Sequence, residues 1–189
     1  MVYGLPSGGI EICLLFSHVG FVPHCGGGME IDMNIEIIME NGGVIKAELY
    51  PEIAPITVEN FKRLIDEDFF AGLIFHRVIE GFMIQGGGMD AAGNMKKADS
   101  IKGEFASNGV KNDLKHTRGV LSMARTMIPN SASSQFFIMH QDAPHLDGQY
   151  AAFGKVTEGM ELVDEIATTP TNFQDQPIVP QVIKTIKMA

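Results

Sequence analysis

From Asn34 onward, apolar and polar positions alternate: Ile35, Ile37 and Met39 stand against Asn34 and Glu36. That is the period of a half-buried strand, whose successive side chains leave opposite faces. Asn41-Gly42-Gly43 follows as a turn signal, and Ile45, Ala47 and Leu49 resume the alternation, so the two runs predict a β-hairpin. Pro51 and Pro55 close its second strand. Val58, Phe61, Leu64 and Ile65 then fall at offsets 0, 3, 6 and 7, with Glu59 and Arg63 paired on the opposite side, as in an amphipathic helix. Short strand-like runs recur at 73–79, 83–85, 119–123, 135–139, 151–156 and 182–188, separated by Gly, Pro, Asn and Asp. One more helix interrupts them, where Met160, Val163, Ile166 and Ala167 repeat the helical spacing and Thr168-Thr169-Pro170 ends it. A parallel sheet would need a crossover helix between successive strands, so many short strands with two helices predict a mainly β, closed antiparallel barrel with helical caps. The polar stretch 87–118 has little period and is expected to wrap the barrel surface.

Residues 1–32 carry seven glycines and no sustained period, and read as an N-terminal extension outside the fold of 33–189. Met29 and Met33 offer internal starts, so the extension is expected to be an artefact of an upstream start rather than a functional arm. Ile12 to Phe16 has the flavour of a short signal core, but no Lys or Arg precedes Lys46 and no small-residue cleavage site follows. The apolar stretch 12–22 is also too short to span a bilayer, which takes about 18 residues or more. A cytoplasmic monomer is the expectation.

Composition narrows the function further. With 14 Lys plus Arg against 23 Asp plus Glu, the net charge of −9 offers no basic surface for phosphate backbones, so nucleic acid is not an expected partner. Both cysteines, Cys13 and Cys25, precede the ordered pattern, so the domain must fold without disulfides. The six histidines show no spacing that would place metal ligands on one element, and no G-x-S-x-G elbow is present. Gly86-Gly87-Gly88-Met89-Asp90-Ala91 satisfies a dinucleotide fingerprint, but no amphipathic helix follows to receive a phosphate, so the run is read as a glycine turn.

The segment FHRVIEGFMIQGG differs in kind, because it sets a cation, Arg77, and an amide, Gln85, among Phe75, Ile79, Phe82, Met83 and Ile84. A half-buried Arg paired with an acidic residue, beside a Gln facing solvent, accounts for this window as well as a site does. A two-residue turn at Glu80-Gly81 would put Arg77 and Gln85 on opposite faces; a three-residue connection would align them.

Taken with GVLSMA, SQFFI, LDG and FGKV, which follow it in order across 34–188, this segment resembles the cyclophilin family, and bacterial members in particular. The resemblance implies an eight-stranded antiparallel barrel capped by two helices and peptidyl-prolyl cis-trans isomerase activity in protein folding. By matched motif, Arg77 and Gln85 would be catalytic. Phe82, Met83, Ala124, Arg125, Gln135, Phe137, His145, Leu146 and Tyr150 would bind substrate. This chain departs from the typical eukaryotic pattern at His145, Tyr150 and Arg125, and its 125–135 loop is one residue longer, which puts tight cyclosporin binding in doubt. Proline-containing peptides and folding proteins are the implied partners, and no cofactor or metal is implied. The alternative is a module that grips proline segments without turnover.

Overall fold

The computed structural model describes residues 33–189, and the expectations for the first 32 residues lie outside it. The alternating run becomes β1 (Met33–Met39), paired with β2 (Val44–Leu49). At their connection Gly42 takes φ +88°, and the Asn41 side chain accepts the Gly43 N–H at 2.9 Å. There follow α1 (Pro55–Asp66), β3 (Leu73–Ile79), β4 (Met83–Asp90), β5 (Val120–Met123), β6 (Phe136–Met139), β7 (Ala152–Glu158), α2 (Met160–Ala167) and β8 (Ile183–Met188).

Every pairing between these strands is antiparallel, in the order β3-β4-β6-β5-β7-β2-β1-β8. The two ends then meet. Ile74 bridges Val182, Phe75 N–H donates to Gln181 O at 3.0 Å and Gly72 N–H to Ile183 O at 2.9 Å, which leaves little open edge. The expected eight-stranded barrel with two helices is what forms.

The barrel interior is plugged by α1. Its Phe61 is wholly buried, with ring centroids 4.9 Å from Phe70, 5.1 Å from Phe153 and 5.2 Å from Phe136. Burying such a ring contributes roughly 2–3 kcal/mol, and edge-to-face contacts add to it. The helix begins at Pro55, earlier than the apolar spacing from Val58 indicates, because its first turn is capped from a distance. Glu104 is buried and accepts from Ile56 N–H (3.1 Å), Thr57 N–H (2.8 Å) and the Thr57 hydroxyl (2.8 Å). A carboxylate there satisfies orphan N–H groups and complements the helix dipole.

The glycine run is not a turn. Gly86, Gly87 and Gly88 lie inside β4, opposite an irregular stretch of β3. A Cβ at Gly86 would sit 2.9 Å from Ile74 O, and Gly87 takes φ +83°, so both positions require glycine where the strands approach and bend. The polar stretch after β4 does run without a strand to β5, holding one short 3₁₀ turn at Ala106–Asn108.

Candidate active site

The β3–β4 connection settles the alignment of Arg77 and Gln85. Ile79 pairs with Met83, leaving Glu80, Gly81 and Phe82 as a three-residue connection, and Gly81 adopts φ +77°, the left-handed conformation such loops need. Arg77 therefore lies directly across from Gln85. The row continues over the neighbouring strands: Gln85 pairs with Phe137 on β6, and Phe137 with Ser122 on β5. Residues directly opposite one another share a face of the sheet.

That face is the outer one. In SQFFI, Phe136 points into the barrel core while Phe137 joins a second apolar cluster with Met83, Val120, Met139, Ala143, Leu146 and Ala152. Strand periodicity thus divides two adjacent phenylalanines between scaffold and site. Above the second cluster opens a cavity of about 290 Å³ lined by Arg77, Phe82, Met83, Gln85, Ala124, Arg125, Phe137, Leu146 and Tyr150. Its floor is apolar, from Phe82, Met83, Phe137 and Leu146, and its rim carries two guanidiniums, an amide and a phenol.

Two of the expected residues stand outside this lining. Gln135 borders an adjoining cavity of about 230 Å³ that shares Gln85, Ala124 and Arg125, and its Oε1 accepts from Gln85 Nε2 at 3.0 Å. His145 is exposed on a 3₁₀ turn (Pro144–Leu146) and stacks on Phe82 at 5.7 Å, so it backs one wall.

The two cations at the rim are held differently. Arg77 is about half exposed, and its Nε lies 3.9 Å from Asp175 Oδ2, an ion-pair distance beyond hydrogen-bond reach. Arg77 thus combines both readings of its motif, an acidic neighbour and a place in the cavity. Asp175 belongs to the loop after α2, whose carbonyl accepts from Val78 N–H at 2.7 Å. Arg125 donates from Nε (3.1 Å) and Nη2 (2.9 Å) to Gln149 O and lies over the rings of Phe105 and Tyr150, at 4.9 and 4.7 Å. Those contacts fix the rim residue Tyr150 from behind.

Beneath Phe137 runs a buried chain of polar groups. His116 stacks on Phe137 at 6.1 Å, with its Nδ1 3.1 Å from Asp147 Oδ1 and its Nε2 3.0 Å from Ser122 Oγ. Burial holds the His116 imidazole below the ordinary histidine value, against the opposing pull of Asp147. Burial pushes Asp147 upward, but hydrogen bonds from the His116 N–H and ring, with Lys115 nearby, outweigh it and keep the carboxylate below its usual range. The contact is therefore between a neutral ring and an anion: Nδ1–H donates to Asp147, and Nε2 accepts from the Ser122 hydroxyl. Ser122 is fully buried, so this Ser-His-Asp order can hold Phe137 but cannot attack a substrate. Among the described residues no three His, Cys, Asp or Glu side chains are grouped to hold a metal ion.

Sequence reasoning missed His116, Ser122 and Asp175 as neighbours of the site. Asp147 stood in the LDG block, but nothing in the spacing tied it to His116, which is 31 residues earlier.

Residues 34–188 match the family model of cyclophilin type peptidyl-prolyl cis-trans isomerases. A peptidyl-prolyl cis-trans isomerase of Acinetobacter baylyi is 51% identical over 140 residues, covering 70% of this chain and 71% of that protein. One from Schizosaccharomyces pombe is 40% identical over 157 residues, covering 82% and 99%. The crystal structure of a Cryptosporidium parvum cyclophilin type peptidyl-prolyl cis-trans isomerase superposes with a TM-score of 0.72 at 31% identity, covering 84% of this chain and 98% of that one. With its barrel, its ordered motifs and these relatives in agreement, the chain belongs to the cyclophilin family of peptidyl-prolyl cis-trans isomerases.

Proposed function

We propose that this chain accelerates rotation about X-Pro bonds by seating the proline ring on Phe82, Met83, Phe137 and Leu146 while Arg77 donates a hydrogen bond to the prolyl nitrogen. The observation that carries this reading is the cross-strand row that sets Arg77 and Gln85 on one face, beside Phe137, at the edge of an apolar cavity.

The chemistry follows from the amide. Rotation must break resonance across a barrier of ~18–20 kcal/mol, and no covalent bond is made or cleaved. As the C–N bond twists, the nitrogen becomes pyramidal and gains a lone pair that the planar ground state lacks. A guanidinium held nearby hydrogen-bonds that lone pair only in the twisted state, which is the differential binding that lowers a barrier. Gln85, steadied by Gln135, and Tyr150, backed by Arg125, orient the carbonyls that flank the proline. Ala124 leaves room for the chain, and His145 supports the Phe82 ring.

Residues 33–189 form the isomerase domain in this reading, with 1–32 as an appended segment. The partners are proline-containing peptides and folding proteins, met by a monomer in the cytoplasm without nucleic acid. Exchange spectroscopy on an Ala-Pro peptide tests the pocket: Phe137→Ala is expected to raise KM about tenfold, and an unchanged KM would overturn the placement of the proline.

A further inference from the structure

The tip of the β3–β4 hairpin carries Phe82, and one histidine holds it. His140, the residue directly after β6, is nearly buried, and its Nδ1 accepts the Gly81 N–H at 2.9 Å. The backbone N–H groups of His140 and Gln141 donate to Phe82 O at 2.9 and 3.3 Å. The turn is therefore held at the Gly81 N–H and at the Phe82 carbonyl by His140 and Gln141.

An acceptor at Nδ1 dictates the tautomer. The neutral ring must carry its proton on Nε2, which lies 3.2 Å from Asp164 Oδ1 on α2, close enough for attraction though not aligned as a hydrogen bond. The other charged groups around the ring belong to the same network. Arg118 donates from Nη2 to Asp164 Oδ2 at 2.7 Å and from Nη1 to His140 O at 2.8 Å, while Asp142 accepts Arg118 N–H at 2.7 Å. The Arg118 guanidinium is the first cause of Asp164 lying below the usual carboxylate range, so that carboxylate is ionised near neutrality. Glu80 is the one titratable side chain of the turn itself.

We propose that His140 is a positioning residue for the substrate pocket: its Nδ1 acceptor fixes the Gly81-Phe82 turn and, through it, the Phe82 wall. The inference rests on Phe82 lining the proline site as read above.

The test measures kcat and KM on an Ala-Pro peptide at one fixed pH, together with the Gly81 amide resonance, in wild type, His140→Asn and His140→Leu. The Asn Oδ1 can take the place of Nδ1 as an acceptor. His140→Asn is expected to keep a KM within about twofold of wild type, with the Gly81 amide still hydrogen-bonded. His140→Leu should raise KM about tenfold and shift the Gly81 amide, with kcat changed less than twofold. A wild-type KM in His140→Leu, or a KM in His140→Asn raised as far as in His140→Leu, would overturn the proposal. Should His140→Leu fail to fold, His140→Gln, whose longer side chain misplaces the acceptor, takes its place with the same expected and overturning results. Phe82→Ala separates the two readings: if it leaves KM unchanged the pocket assignment fails, and if it raises KM while His140→Leu does not, only the role of His140 fails.

Discussion

Glu104 ties the scaffold to the site, and removing it should be felt in both. The buried carboxylate accepts three hydrogen bonds at the start of α1, while its own carbonyl accepts from Asn112 Nδ2 at 2.9 Å. Glu104→Ala leaves the Ile56 and Thr57 N–H groups and the Thr57 hydroxyl without acceptors, at about 1–3 kcal/mol for each donor that stays buried. It also removes a favourable charge from the helix N-terminus, roughly 0.3–1 kcal/mol, against which stands the relief of burying a carboxylate. A net loss of about 3–5 kcal/mol is expected, in line with breaking a buried charged contact from one side. For a chain of this size that corresponds to a melting temperature lower by roughly 10 °C. Urea unfolding should show a reduced midpoint with an unchanged slope, and Glu104→Gln, which keeps an acceptor, should lose about half as much. Because Phe105 follows directly and lies under Arg125, a raised KM is expected as well. A Glu104→Ala protein within about 1 kcal/mol of wild type would refute the reasoning.

Gly88→Ala would put a Cβ 2.5 Å from the Gln135 side chain, which must swing away and release Gln85; kcat/KM on an X-Pro peptide is expected to fall severalfold while the far-ultraviolet spectrum stays unchanged. Stability should also depend on pH through His116 and His76, both held below the ordinary histidine value chiefly by burial. The unfolded chain then binds protons that the native one refuses, so stability is full above about pH 6.5 and falls as the pH drops below the unfolded value. Denaturant midpoints measured between pH 8 and 5 should show that slope, and His116→Gln should flatten it; a midpoint independent of pH would contradict the neutral-ring assignment.

The outer architecture was legible because alternation is a local signal. Ile35, Ile37, Ile45 and Ala47 each reach the core as their period required. The site was legible only in part, since the alignment of Arg77 with Gln85 turned on whether the connection held two residues or three. Gly81 at φ +77° and the Ile79–Met83 pair decided it, and neither can be read from residue types alone. The glycine run misled for a similar reason: three glycines read as a turn until strand β3 is seen pressing on Gly86. Long-range partners left no trace in spacing. Glu104 caps a helix 47 residues earlier in the chain, and Asp175 meets Arg77 through a loop that carries no apolar period.

One guanidinium carries the proposed catalysis, and the most direct test of it is Arg77→Ala assayed by exchange spectroscopy on a saturating X-Pro peptide, with peptide affinity measured in parallel. Loss of a donor used only in the transition state should cost about a hundredfold or more in kcat. Peptide Kd should stay within about threefold of wild type, since the apolar floor is untouched. A variant that isomerises as fast as wild type, or one whose loss of rate is matched by loss of binding, would contradict the role given to Arg77.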